Sequence, residues 1–169
     1  MAIARGTAMN RILSIDPSST FTGWAIFQDE KLVAWGKIKT DDLPTAVRFV
    51  RIVDELTRIG KEHGITQIAV EDVSYAWNSK NRNRNIAGLQ IVFRSIKEMA
   101  KFNGWGFQSY NPGKWKNVVV GNASANKEIT ENNIRFRFPA LPQGLTDHEI
   151  DAIAIGVCHA AALNWGNYG

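Results

Sequence analysis

Cysteine is nearly missing from this chain. A single one, Cys158, in 169 residues leaves no internal disulfide framework and points to a reducing compartment. Long apolar runs are missing as well: none approaches the ~20 residues of a membrane-spanning helix, so no membrane association is expected. The stretch Met1 to Asn10 carries Arg5 but not the apolar core of a secretory signal. Residues 1–9 are read as a loose leader, with Met9 as an alternative start, ahead of one domain over residues 10–165. No internal repeat, low-complexity tract or linker marks a second domain. A cytoplasmic domain is therefore expected, long enough to bury a proper core.

Acidic residues are scarce in one region. Between Ala76 and Lys127 nine Lys or Arg residues (Lys80, Arg82, Arg84, Arg94, Lys97, Lys101, Lys114, Lys116 and Lys127) face one acid, Glu98. Net charge over the whole chain is only +4, so the clustering is the informative feature. Such a block either covers a solvated surface or meets a polyanion, most often nucleic acid.

Periodicity orders the elements. Arg11 to Asp16 reads as a strand, broken by Pro17-Ser18-Ser19-Thr20, and Phe21 to Phe27 reads as a second. Lys31 to Lys39 follows after a short polar link, which favours an antiparallel meander. Pro44 opens a helix whose apolar stripe ends near Gly64, and Gln67 to Glu71 is a short buried strand. A polar loop over 72–85 leads to a helix with Ile86, Leu89, Val92, Phe93, Ile96 and Met99 on one side, closed by Asn103-Gly104. Trp105 to Tyr110 reads as the fifth strand and Asn111-Pro112-Gly113 as a turn. Lys114 to Val120 fits helix and strand equally, Asn126 to Phe136 fits a helix, and Thr146 or Asp147 caps a last helix ending near Asn164. The expected fold is α/β, a five-stranded mixed sheet with helices packed on it.

Three acidic positions carry the chemistry. Asp16 and Glu71 each end a strand expected in the middle of the sheet, where adjacent strands would set them side by side. In the last helix His148 and Asp151 are three residues apart and share a face, with Asp147 close by. Each has a plain structural explanation taken singly: a turn acid, a solvent-facing strand end, a helix first turn matched to its dipole. Together they would repel one another unless cations neutralised them. Oxygen-rich sites suit Mg2+, and one imidazole also suits Mn2+. Two such ions, about 3.5–4 Å apart, can hydrolyse a phosphodiester.

The ordered set of motifs resembles the RuvC-type Holliday junction resolvases. Ile12-Leu13-Ser14-Ile15-Asp16-Pro17-Ser18-Ser19-Thr20-Phe21-Thr22-Gly23-Trp24 is similar to that family's opening strand and glycine-bearing turn. Ile68-Ala69-Val70-Glu71-Asp72-Val73 is similar to its second acidic strand, and Val118 to Lys127 to its basic loop. His148-Glu149-Ile150-Asp151-Ala152-Ile153-Ala154-Ile155 is similar to its closing helix. The resemblance implies a ribonuclease H-like fold with helices on both faces of the sheet. It also implies a homodimer that makes paired symmetric nicks in a four-way junction. By position it implies catalytic and metal roles for Asp16, Glu71, His148 and Asp151, with two Mg2+ ions per site and Mn2+ as substitute. Lys116 and Lys127 match basic positions near the scissile phosphate, Lys127 as a catalytic group.

One departure stands out. The family often carries an aromatic residue shortly after the second acid, where this chain has Ser74, followed by Tyr75 and Trp77. Either aromatic could stack on an opened base. Lys80, Arg82 and Arg84, among asparagines, suit backbone phosphates, as do Lys114, Lys116 and Lys127. The other tryptophans, Trp105, Trp115 and Trp165, read as core or dimer packing, Cys158 as inert core, and His63 and His159 have no assigned role. Two alternatives keep nucleic acid as the target: a broader flap or fork nuclease of the same fold, and a non-catalytic binding module. An ATP-binding lobe of the sugar-kinase type would need a second lobe, so no nucleotide cofactor is expected.

Overall fold

A computed structural model describes residues 9–73 and 86–166. Strand β1 (Arg11–Asp16) is buried on both faces from Ile12 onward, as the middle strand of a sheet must be. It pairs antiparallel with β2 (Phe21–Gln28), which pairs antiparallel with β3 (Lys31–Lys39) at one edge. On its other side β1 runs parallel to β4 (Gln67–Glu71), and β4 parallel to β5 (Gly106–Tyr110). The resulting order is β3-β2-β1-β4-β5, a mixed five-stranded sheet.

Alternation along these strands builds two cores. Leu13, Ile15, Ile26, Ile68 and Val70 point to one face and pack against α1 (Thr45–Glu62) and α2 (Ile86–Asn103) through Leu56, Val92 and Ile96. Ile12, Phe27, Ala69 and Tyr110 point to the other and meet α3 (Pro112–Val120), α4 (Lys127–Arg137) and α5 (Asp147–Gly166) through Trp115, Ile134 and Ile153. Helices therefore cover both faces, as expected. Among the described residues no helix is long and apolar enough to cross a membrane.

One expectation is corrected. Asn111-Pro112-Gly113 is not a free turn but the start of α3: the Asn111 side chain accepts from the Lys114 N–H at 2.8 Å, and Pro112 occupies the first helical position. A proline there sacrifices no helical hydrogen bond, so turn and helix start share one sequence signature. The ambiguous Lys114–Val120 run is accordingly helical, closed by Gly121 at φ 77°.

Helix α5 lies against β1 and β2 with most of its surface buried. Two glycines permit that approach. A Cβ on Gly156 would sit 2.2 Å from Phe27 Cε2 and 2.7 Å from Ser14 Oγ, and one on Gly23 would sit 1.9 Å from the His148 carbonyl oxygen. Farther along α5, the buried His159 donates from Nε2 to Gln67 Oε1 at 2.9 Å and accepts the Tyr110 hydroxyl at Nδ1 at 2.8 Å. The amide oxygen can only accept, which sets that tautomer. Burial lowers the His159 pKa to about 4 and keeps the ring neutral.

Candidate active site

Asp16 and Glu71 end adjacent parallel strands, and both side chains fall on the α5 face. Register carries this: Ile15 pairs with Val70, both on the opposite face, so the next residue of each strand turns toward α5. Asp16 is 5% exposed. Opposite it, α5 begins with a capping box. Thr146 Oγ1 accepts from the Glu149 N–H, while Glu149 Oε2 accepts from the Thr146 N–H at 2.8 Å. That box fixes the first turn of α5, and Gly23 lets this turn press onto the strand beside Asp16.

The result is a direct contact across 132 positions of sequence: His148 Nδ1–H donates to Asp16 Oδ2 at 2.6 Å. Hydrogen bonding to Asp16 raises the His148 pKa against the opposing effect of burial, which favours the imidazolium. On the other side, the indole N–H of the fully buried Trp115 donates to Glu71 Oε2 at 2.9 Å. Burial, reinforced by the Asp16 charge, pushes the Glu71 carboxyl up to about 8. Burial and the same charge push Asp151 up to about 7, with Lys116 and His148 opposing. Asp16, Glu71, Asp151 and His148 therefore share one electrostatic neighbourhood, as their sequence positions led us to expect.

Lys116 and Lys114, two positions apart on α3, take different directions. Lys116 acts on both Glu71 and Asp151, whereas the Lys114 ammonium lies 5.5 Å from the Tyr110 ring centroid. Lys127, at the first position of α4, pairs through Nζ with Asp147 Oδ2 at the first position of α5. An exposed pair of this kind is weak. Arg94, Lys97 and Lys101 belong to the exposed side of α2, across the sheet from the carboxylates. Tyr75, Trp77, Lys80, Arg82 and Arg84 lie outside the described residues.

Chemically this donor set suits a hard divalent cation. Three carboxylates and one imidazole meet in a poorly solvated spot, and two of the acids resist ionising there because too little positive charge answers them. The donors are gathered but not converged. Asp16 is engaged by His148 and Glu71 by Trp115, and among the described residues no three His, Cys, Asp or Glu side chains are set to hold one ion. Sequence reading missed the Trp115 contact, the capping role of Glu149 and the Asp147 partner of Lys127.

Comparison with known proteins adds a family and a fold. Residues 12–159 match the family model described as "Crossover junction endodeoxyribonuclease RuvC". A protein of that description from Aliarcobacter butzleri is 31% identical over 161 residues, covering 90% of this chain and 99% of its own. One from Campylobacter jejuni is 30% identical over 163 residues, covering 90% and 96%. Among solved structures, Thermus thermophilus RuvC superposes with a TM-score of 0.79 at 21% identity, over 92% of this chain and 96% of that one. The same protein in complex with a Holliday junction substrate gives the same TM-score over 93% of this chain.

Proposed function

This chain belongs to the RuvC family of crossover junction endodeoxyribonucleases, and from that premise we propose that it resolves four-way DNA junctions by paired, symmetric nicks. The observation that carries this reading is the meeting of Asp16 and Glu71, from neighbouring strand ends, with His148 and Asp151 from the first turns of α5. A homodimer would bring two such sites to one junction. The substrate and the single cysteine suit the cytoplasm, where chromosomal or phage DNA is found.

Asp16, Glu71, Asp151 and His148 would hold Mg2+, with Mn2+ as substitute and two ions per site. Bound there, the metal supplies the Lewis acidity that activates water and stabilises the departing 3′ oxygen. The protein's own groups do the rest. Lys116 offsets the negative charge of the carboxylates and of the phosphate that enters among them. Lys127, paired with Asp147 at the start of α5, would turn to a phosphate oxygen. The Gly23 contact and the Thr146–Glu149 box keep His148 on Asp16, so the first turn of α5 is held beside the strand end before DNA arrives. Tyr75 or Trp77 would stack on an opened base, while Lys80, Arg82, Arg84 and Lys114 hold the backbone. The products are a 5′ phosphate and a 3′ hydroxyl, which ligase can rejoin.

Asp16→Asn tests the assignment. It keeps the shape of the side chain but removes the charge, so junction binding should persist while cleavage is lost. A variant that cuts at the normal rate would refute the site.

A further inference from the structure

Trp115 is fully buried, while Trp24, Trp35 and Trp105 are partly so and Trp165 is 71% exposed. Its ring belongs to the same apolar cluster as Val119, Ile134 and Ile153, a place that phenylalanine or leucine could fill without carrying a polar atom into the core. An indole brings one donor and no acceptor, and a buried donor needs a partner. That partner is Glu71 Oε2, at 2.9 Å. The chain path explains the meeting. Glu71 pairs in register with Tyr110, and α3 starts directly after Tyr110 because Asn111 caps it and Pro112 opens it. Trp115 thus falls one turn into α3, on the side that faces the end of β4.

We propose that Trp115 is the positioning residue for Glu71. Its N–H anchors Oε2, fixes the carboxylate plane and leaves Oε1 as the oxygen available to a cation. This rests on the reading that Glu71 is a metal ligand. Outer groups that orient a ligand in this way typically change metal affinity about 10–100-fold when removed.

The test is Mn2+ binding to the whole chain without DNA, by titration calorimetry, for wild type, Trp115→Phe, Glu71→Ala and the double variant. Phenylalanine keeps most of the apolar volume and removes only the donor. Trp115→Phe is expected to weaken Mn2+ at least ~10-fold, and to add nothing once Glu71 is gone. Wild-type affinity in Trp115→Phe, or an equal further loss in the Glu71→Ala background, overturns the inference while leaving Glu71 as a ligand. Unchanged affinity in Glu71→Ala overturns the ligand reading itself. If Trp115→Phe does not fold, indole 15N spectra of the wild-type chain keep the question decidable. The slowest-exchanging indole N–H should shift on adding Mg2+ and lose its protection in Glu71→Ala; a resonance indifferent to both contradicts the proposal.

Discussion

Gly23→Ala perturbs the site without touching any of its charged groups. The added Cβ would lie 1.9 Å from the His148 carbonyl oxygen, 2.3 Å from its carbon and 2.9 Å from the Glu149 nitrogen. All three are backbone atoms in the first turn of α5, so no side-chain rotation can relieve the overlap. Ordinary contact begins near 3.4 Å, and the turn must therefore retreat by roughly 1.5 Å. That distance exceeds the slack of the His148–Asp16 hydrogen bond, which at 2.6 Å would leave bonding range after about 0.9 Å. Overpacking of this kind costs about 2 kcal/mol, or roughly 4–8 °C in Tm for a chain of this size. A displacement near 1 Å at a reacting centre costs about 100-fold in rate. Single-turnover nicking of a labelled four-way junction should therefore fall about 100-fold, while mobility-shift affinity for the junction stays close to wild type. Cleavage at the wild-type rate by a well-folded Gly23→Ala protein would refute the claim that this close approach positions the site.

Three further outcomes follow from the same geometry. The metal-free protein should lose stability as pH rises from about 5 to 8. Glu71 and Asp151 carry folded-state values of about 8 and 7, above those of the unfolded chain, so folding binds protons that are lost across this window. Urea melts in EDTA at pH 5.5 and 8.5 measure this, Mg2+ should flatten the trend, and greater stability at pH 8.5 in EDTA would contradict it. His159 acts in the opposite sense at lower pH. Its folded value of about 4 lies below the unfolded one, so its contribution is complete above about 6.5 and is lost as pH falls toward 4. His159→Gln should shallow the acid limb of the stability profile while leaving the alkaline limb unchanged, and an identical acid limb would refute the role of burial. Lys116→Ala should reduce single-turnover cleavage with little effect on junction affinity, since Lys116 answers the half-buried Glu71 and Asp151 rather than a distant phosphate. A purely affinity-based defect would place it on the DNA backbone instead.

Much of this was legible in the sequence, for identifiable reasons. The strands could be read because alternation and breakers agree: Pro17 and the hydroxyl run end β1, and Gly64 separates α1 from β4. Asp16 and Glu71 could be paired because two short apolar strands both finish in an acid, and the spacing of His148 and Asp151 places them on one helix face. Other features were not visible. Asn111-Pro112 signals a turn and a helix start equally, and only tertiary packing against Tyr110 and α5 decides between them. The apolar ring of Trp115 announces core, but nothing in a linear pattern says where its N–H points. Gly23 falls within the second strand, but its neighbours give no reason for a glycine there; the reason is a helix that arrives 125 residues later. Lys127 stands at the unfavourable end of the α4 dipole, and its pairing with Asp147, twenty positions later, is set by how α4 and α5 meet rather than by any local pattern.

The most direct test of the whole account is cleavage of labelled four-way junctions beside flaps, forks and linear duplex, each with Mg2+, Mn2+ or EDTA. The account predicts metal-dependent, symmetric paired nicks confined to the junction, with ligatable ends. Equal cutting of flaps and forks would make the chain a general branched-DNA nuclease. Tight junction binding with no cutting under any metal would contradict the central claim that Asp16, Glu71, His148 and Asp151 form a working catalytic centre.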